Sequence, residues 1–167
     1  MRNLLLFTVT GAAVLWDVRT GKIPNFLILA GAGAACLFQL AESGAEGFRQ
    51  FLGGSILPLF LLAVLYYFRM LGAGDIKLFC AIGGLMGGRS LILCMAVSFL
   101  LGALVSLVLL IRRRNLKKRL LYFIAYIGRV YQTRQWVPYR DKRDRSGEFC
   151  FTVPIFLSVL LYMGGVY

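Results

Sequence analysis

Gly72-Ala73-Gly74-Asp75-Ile76-Lys77 stands between two apolar runs, Phe51 to Phe68 before it and Leu78 to Gly88 after it. It puts a carboxylate where lipid is expected. An aspartate near the centre of a bilayer costs roughly 2.5–3.5 kcal/mol to insert, so an acid kept there is a candidate functional group by default. The glycines before it carry no Cβ, and their backbone can be approached closely by another chain.

The surrounding composition agrees with a membrane setting. Of 167 residues, 59% are hydrophobic and only 16% charged, which predicts an all-α, polytopic integral membrane protein rather than a soluble domain. Cys36, Cys80, Cys94 and Cys150 lie far apart, and the chain has no histidine. That pattern argues against a zinc site or a disulfide framework. It also removes Ser-His and Cys-His catalysis. Any chemistry must run on carboxylates, lysine or hydroxyls, and no cofactor is expected.

Outward from the motif, the apolar pattern predicts six spans in one membrane domain, 1–167: about 3–16, 23–41, 51–68, 74–88, 90–111 and 149–165. The first resembles a signal peptide, since Arg2 precedes an apolar core. Trp16-Asp17-Val18-Arg19 follows it in place of a small-residue cleavage site, so it reads as an uncleaved span. Asp17 to Lys22 reads as a polar link, and Pro24 suits the first turn of the second helix. Residues 42–50 form another polar link. The fourth segment is short: eleven residues of helix rise only about 16 Å. It is expected to start near Gly74 and to lie where the bilayer is thinned or filled by protein.

Charge orients the spans. The net charge is +12, and residues 112–145 hold 12 of the 19 basic residues. The positive-inside rule makes that loop cytoplasmic. With six crossings, Asp17 to Lys22 and Arg69 to Lys77 share its side, and both ends lie outside. Leu120 to Val137 mixes aromatic and aliphatic residues with Arg129 and Arg134, the pattern of an interfacial amphipathic helix drawn to anionic lipid headgroups. Nucleic acid is not an expected partner.

Seven acids are present. Glu42 and Glu46 fall in the outer link, and Asp141, Asp144 and Glu148 sit among basic residues as their counter-charges. Asp17 and Asp75 remain, at one membrane depth on separate helices. Two such carboxylates facing each other share a proton, because like charges a few ångströms apart cannot both ionise. One then takes a proton from water while the other donates to an amide carbonyl. Simpler readings stand beside this one. Asp17 could be an N-cap or an interface anchor, and Asp75 could cap the fourth helix or pair with Lys77. Lys77 reads as a snorkelling residue, or as one that orients substrate or tunes Asp75. Gly31, Gly33, Gly83-Gly84 and Gly87-Gly88 read as helix-packing surfaces.

Asp17 followed by Ile23-Pro24-Asn25, and then Gly72-Ala73-Gly74-Asp75-Ile76-Lys77-Leu78, resembles the type IV prepilin peptidase family over roughly residues 14–110. The resemblance makes Asp17 and Asp75 the catalytic aspartates, with Gly72, Gly74 and Lys77 binding substrate or supporting the site. It implies an aspartic endopeptidase of the prokaryotic inner membrane that removes the leader of prepilin-like precursors at the cytoplasmic face. Larger members carry an insertion with paired cysteines and also N-methylate the new amino terminus. This chain has no such cysteine pairs and resembles the compact, peptidase-only branch. Presenilin-like proteases share Gly-x-Gly-Asp but have more spans and a Pro-Ala-Leu motif absent here. Outside the proteases, a small carrier binding a proton or cation at Asp75 would tolerate Asp17→Asn, and a pilus-assembly scaffold would tolerate losing either acid.

Overall fold

The computed structural model describes residues 1–68, 71–112 and 150–166. Among them are five helices and no strand: α1 (Arg2–Thr20), α2 (Asn25–Tyr67), α3 (Ala73–Met86), α4 (Gly88–Arg112) and α5 (Thr152–Met163). The chain divides into two units, one of Met1–Gly102 with Cys150–Tyr167 and one of Ala103–Phe149. The first holds the helices that position the site. Of the second, only the end of α4 is described, so the expected amphipathic helix in 112–145 lies outside the described residues.

Two helices, Asn25–Tyr67 and Gly88–Leu109, are long and apolar enough to cross a membrane. Large apolar side chains point outward along them. Phe26 is 82% exposed, Leu29 71% and Phe60 76%. Contiguous outward apolar surface of this kind suits lipid rather than water.

α2 is not one rod. Gly44 has φ 55° and ψ −132°, a non-helical conformation open to glycine because it has no Cβ. Along a straight helix residues 39 and 47 would stand about 12 Å apart. Here a Cβ on Gly47 would fall against the Gln39 carbonyl oxygen, so the chain reverses at Gly44 into two antiparallel arms. The reversal falls inside the predicted 42–50 link, although helical residues run through most of that link.

α3 is the core of the first unit. Ile76, Leu78, Phe79 and every residue from Ala81 to Met86 are buried. A helix that is apolar all round must be enclosed on every side. Its 14 residues span only about 21 Å, short for a bilayer core of about 30 Å. The expectation of a protein-filled setting for this short helix therefore holds. α2 packs most extensively against it, and the contact is close because Gly54 and Gly83 meet backbone to backbone. In lipid, burial brings little hydrophobic gain, and such small-residue contacts supply the dispersion energy instead.

The other glycines divide. A Cβ on Gly31 would meet the Val9 side chain and one on Gly84 would meet Phe51 and Ser55, whereas a Cβ on Gly33, Gly87 or Gly88 would meet nothing within 4 Å. The packing role expected of these last three is not found.

Gln39 joins the same seam. It is 6% exposed, and its Nε2 donates to the Gly84 carbonyl at 3.2 Å. Gly84 lies in the last turn of α3, where carbonyls lack an intrahelical donor. Gln39→Leu leaves that oxygen buried and unpaired, which should cost about 1–3 kcal/mol. A thermal midpoint in detergent equal to wild type would contradict the assignment.

Candidate active site

Asp17 lies in the last turn of α1, not in a link after it. The helix runs on to Thr20 because its end is well closed. Thr20 Oγ1 donates to the Trp16 carbonyl at 2.8 Å or the Lys22 carbonyl at 2.9 Å. The Gly21 N–H bonds the Asp17 carbonyl at 2.7 Å. A residue at this end of a helix cannot be its N-cap. Asp17 does act as an interface anchor: Thr152 Oγ1, at the start of α5, donates to its Oδ2 at 2.7 Å. The Cys150 thiol lies 3.9 Å from the Asp17 carbonyl oxygen.

Asp75 is the third residue of α3, with Gly72 as N-cap. Its carboxylate reaches back to the Gly72 N–H, the half of a capping box that a residue at this position provides. The capping reading of Asp75 is thus realised, and a carboxylate is favourable at the positive end of the helix dipole. A Cβ on Gly72 would lie 3.1 Å from Asp75 Oδ2, and one on Gly74 would lie 3.4 Å from the Ile23 side chain. Gly72 keeps room beside the carboxylate, and Gly74 keeps room for the Ile23 side chain.

The two acids come together. Asp17 lies near enough to Asp75 for its charge to act on it, and Cys150 feels the charge of both. Each is partly exposed. Two clefts, of about 380 and 390 Å³, lie along Gly53, Gly54 and Met86 and along Ala12, Leu15 and Trp16. Neither is lined by either aspartate.

Lys77 is not paired with Asp75. Residues two apart on a helix do not face each other, and Lys77 Nζ instead donates to Asn25 Oδ1 at 2.9 Å. That bond fastens the start of α2 to α3, beside the place where Ile23 meets Gly74. It is exposed and should be worth less than about 1 kcal/mol. Lys77→Met is therefore expected to shift the thermal midpoint little.

Sequence reasoning missed Thr152, Cys150 and Gln39. A threonine opening an apolar helix ordinarily reads as a cap. Its partner lies at the other end of the chain, and no local spacing links them.

With this geometry in hand, comparison with known proteins is informative. The family model for the type IV leader peptidase family matches residues 4–107, well over half the chain and including both aspartates. The chain belongs to the type IV leader peptidase family, and is a leader peptidase-like protease. No curated protein and no solved structure matches it.

Proposed function

We propose that this chain is a membrane-embedded aspartic endopeptidase that removes the leader peptide of prepilin-like precursors at the cytoplasmic face of the inner membrane. One observation supports the aspartic mechanism: Asp17 at the end of α1 lies near enough to Asp75 at the start of α3 for its charge to bear on it. In the proposed reaction one carboxylate takes a proton from a water molecule, whose oxygen attacks the scissile carbonyl. The protonated partner gives its proton to the carbonyl oxygen. The tetrahedral intermediate then collapses: its C–N bond breaks, the leaving amine receives the proton taken from water, and one hydroxyl of the intermediate returns its proton to the other carboxylate as the new carboxyl group forms. Nothing in these steps calls for a metal or a covalent intermediate.

In this reading α1, the two arms of α2, α3, α4 and α5 make six crossings of one membrane domain. The basic residues of 112–145 would be drawn to anionic headgroups. Gly72 and Gly74 leave backbone accessible for an extended substrate, and Lys77 supports the site through Asn25. Lys77→Met should lower cleavage roughly three- to tenfold through misplacement of that link. Cleavage equal to wild type would remove Lys77 from the site.

The test is incubation of the protein in membranes with a prepilin-type precursor, followed by mass analysis of the products. Release of an intact leader by wild type, and by neither Asp17→Asn nor Asp75→Asn, is the expected outcome.

A further inference from the structure

α5 lies outside the part of the chain that matches the family, yet it supplies a direct partner to one of the two acids. Thr152 is fully buried, and a buried hydroxyl must find a partner. Thr152 is the first residue of α5, one place inside the cap position held by Phe151. Its hydroxyl is spent on Asp17 Oδ2, at 2.7 Å.

The residues around Thr152 hold it in place. Phe151, directly before it, packs at a tilt against Phe99 of α4 with ring centroids 5.5 Å apart, and Phe99 stacks on Phe79 of α3 at 6.4 Å. A Cβ on Gly102 would lie 2.6 Å from the Phe151 ring, so Phe151 is seated directly on the α4 backbone. Farther along, Phe156 meets Phe7 of α1 at 5.6 Å, and Ser158 Oγ donates to the Cys94 carbonyl at 2.9 Å. The aromatic row that steadies α3, which carries Asp75, also steadies the residue that bonds Asp17.

We infer that Thr152 is a positioning residue for the cleavage reaction, its hydroxyl fixing the orientation in which the Asp17 carboxylate meets Asp75 and water. The inference rests on the two-aspartate reading above. The closed end of α1 fixes the Asp17 backbone, and rotation of its carboxylate about the side-chain bonds is what the Thr152 bond arrests. A donor on Oδ2 holds one carboxylate oxygen and leaves the other for the reaction. Thr152 touches neither substrate nor water in this scheme and acts through Asp17.

Thr152→Val keeps the shape and removes the hydroxyl, Thr152→Ser keeps the hydroxyl, and Thr152→Cys replaces it with a weak donor. Cleavage of a prepilin-type precursor would be measured as kcat per folded molecule and KM, with thermal midpoints in the same detergent. Thr152→Val is expected to lose roughly ten- to a hundredfold in kcat, the loss of one hydrogen bond to a charged group, with KM unchanged. Thr152→Ser should stay within about threefold of wild type, the hydroxyl rather than the methyl being the working group. A residue that merely ties α5 to α1 would lower the thermal midpoint without lowering kcat per folded molecule.

Wild-type kcat in Thr152→Val, or equal impairment in the Ser and Val variants, would overturn the inference. Should the valine variant not fold, the serine and cysteine variants decide it: equal kcat overturns it, and an active serine with an impaired cysteine supports it. Asp17→Asn and Asp75→Asn in the same assay keep the two readings apart. If both are inert and Thr152→Val is unimpaired, only the role of Thr152 fails. If either cleaves, the two-aspartate reading itself has failed.

Discussion

Gly83→Ala is expected to destabilise the protein by about 3 kcal/mol or more, a large effect for one added methyl group. A Cβ there would strike the Gly54 carbonyl oxygen and lie 2.6 Å from Leu91 Cδ2. A Cβ on Gly54 would in turn strike the Gly83 carbonyl. Overpacking against side chains costs typically 1–3 kcal/mol because they can shift. Here one neighbour on each side is backbone, inside helices held by their own hydrogen bonds, so relief requires α2 and α3 to move apart. That separation would loosen the helix that carries Asp75. Gly33→Ala is the matched control, since nothing lies within 4 Å of its Cβ. It should be neutral, or gain up to about 1 kcal/mol from helix propensity. Thermal unfolding of the three proteins in one detergent checks this. Equal midpoints for Gly83→Ala and Gly33→Ala would show that the close approach of the helices is not the source of their stability.

Replacing either aspartate by asparagine should lower cleavage by about a hundred- to ten-thousandfold while leaving the fold intact. Asparagine keeps the size and a hydrogen-bonding oxygen, so the Thr152 bond to residue 17 and the Gly72 bond to residue 75 survive in outline. What it removes is the ability to take up and release a proton, which general acid–base catalysis supplies at about that magnitude. The two losses should not multiply, because residues that act as a unit fail together. Asp75→Glu is also expected to be poor. A longer side chain moves the carboxylate by about 1 Å, and displacement on that scale can cost a hundredfold.

Much of this architecture could be read from the chain because lipid punishes polar residues strongly. Asp75 stood out for that reason, as did the glycines before it. The apolar runs outlined all the helices described here, and the short fourth segment was recognised from its length. The ends were less legible. The sequence places Asp17 both at the end of the first helix and at the start of a link; the helix carries on through it to Thr20, closed by a hydroxyl and a turn that no hydropathy pattern registers. The reversal at Gly44 was anticipated as a polar link, yet helix runs through most of it. Proximity in sequence offers Asp75 as a partner for Lys77, but residues two apart on a helix do not face each other. The partner of Lys77, Asn25, lies 52 residues away, beyond the reach of any local spacing. Thr152 and Gln39 were invisible, since each acts on a group far away in the chain and only the folded bundle brings the two together.

The most direct test of the central claim is the cleavage itself. A prepilin-type precursor would be incubated with wild-type protein, Asp17→Asn and Asp75→Asn in membranes, and the products identified by intact mass. The account predicts that wild type releases the leader as one fragment and that both variants leave the precursor whole. A variant lacking either carboxylate that still released the leader at the wild-type rate would contradict it.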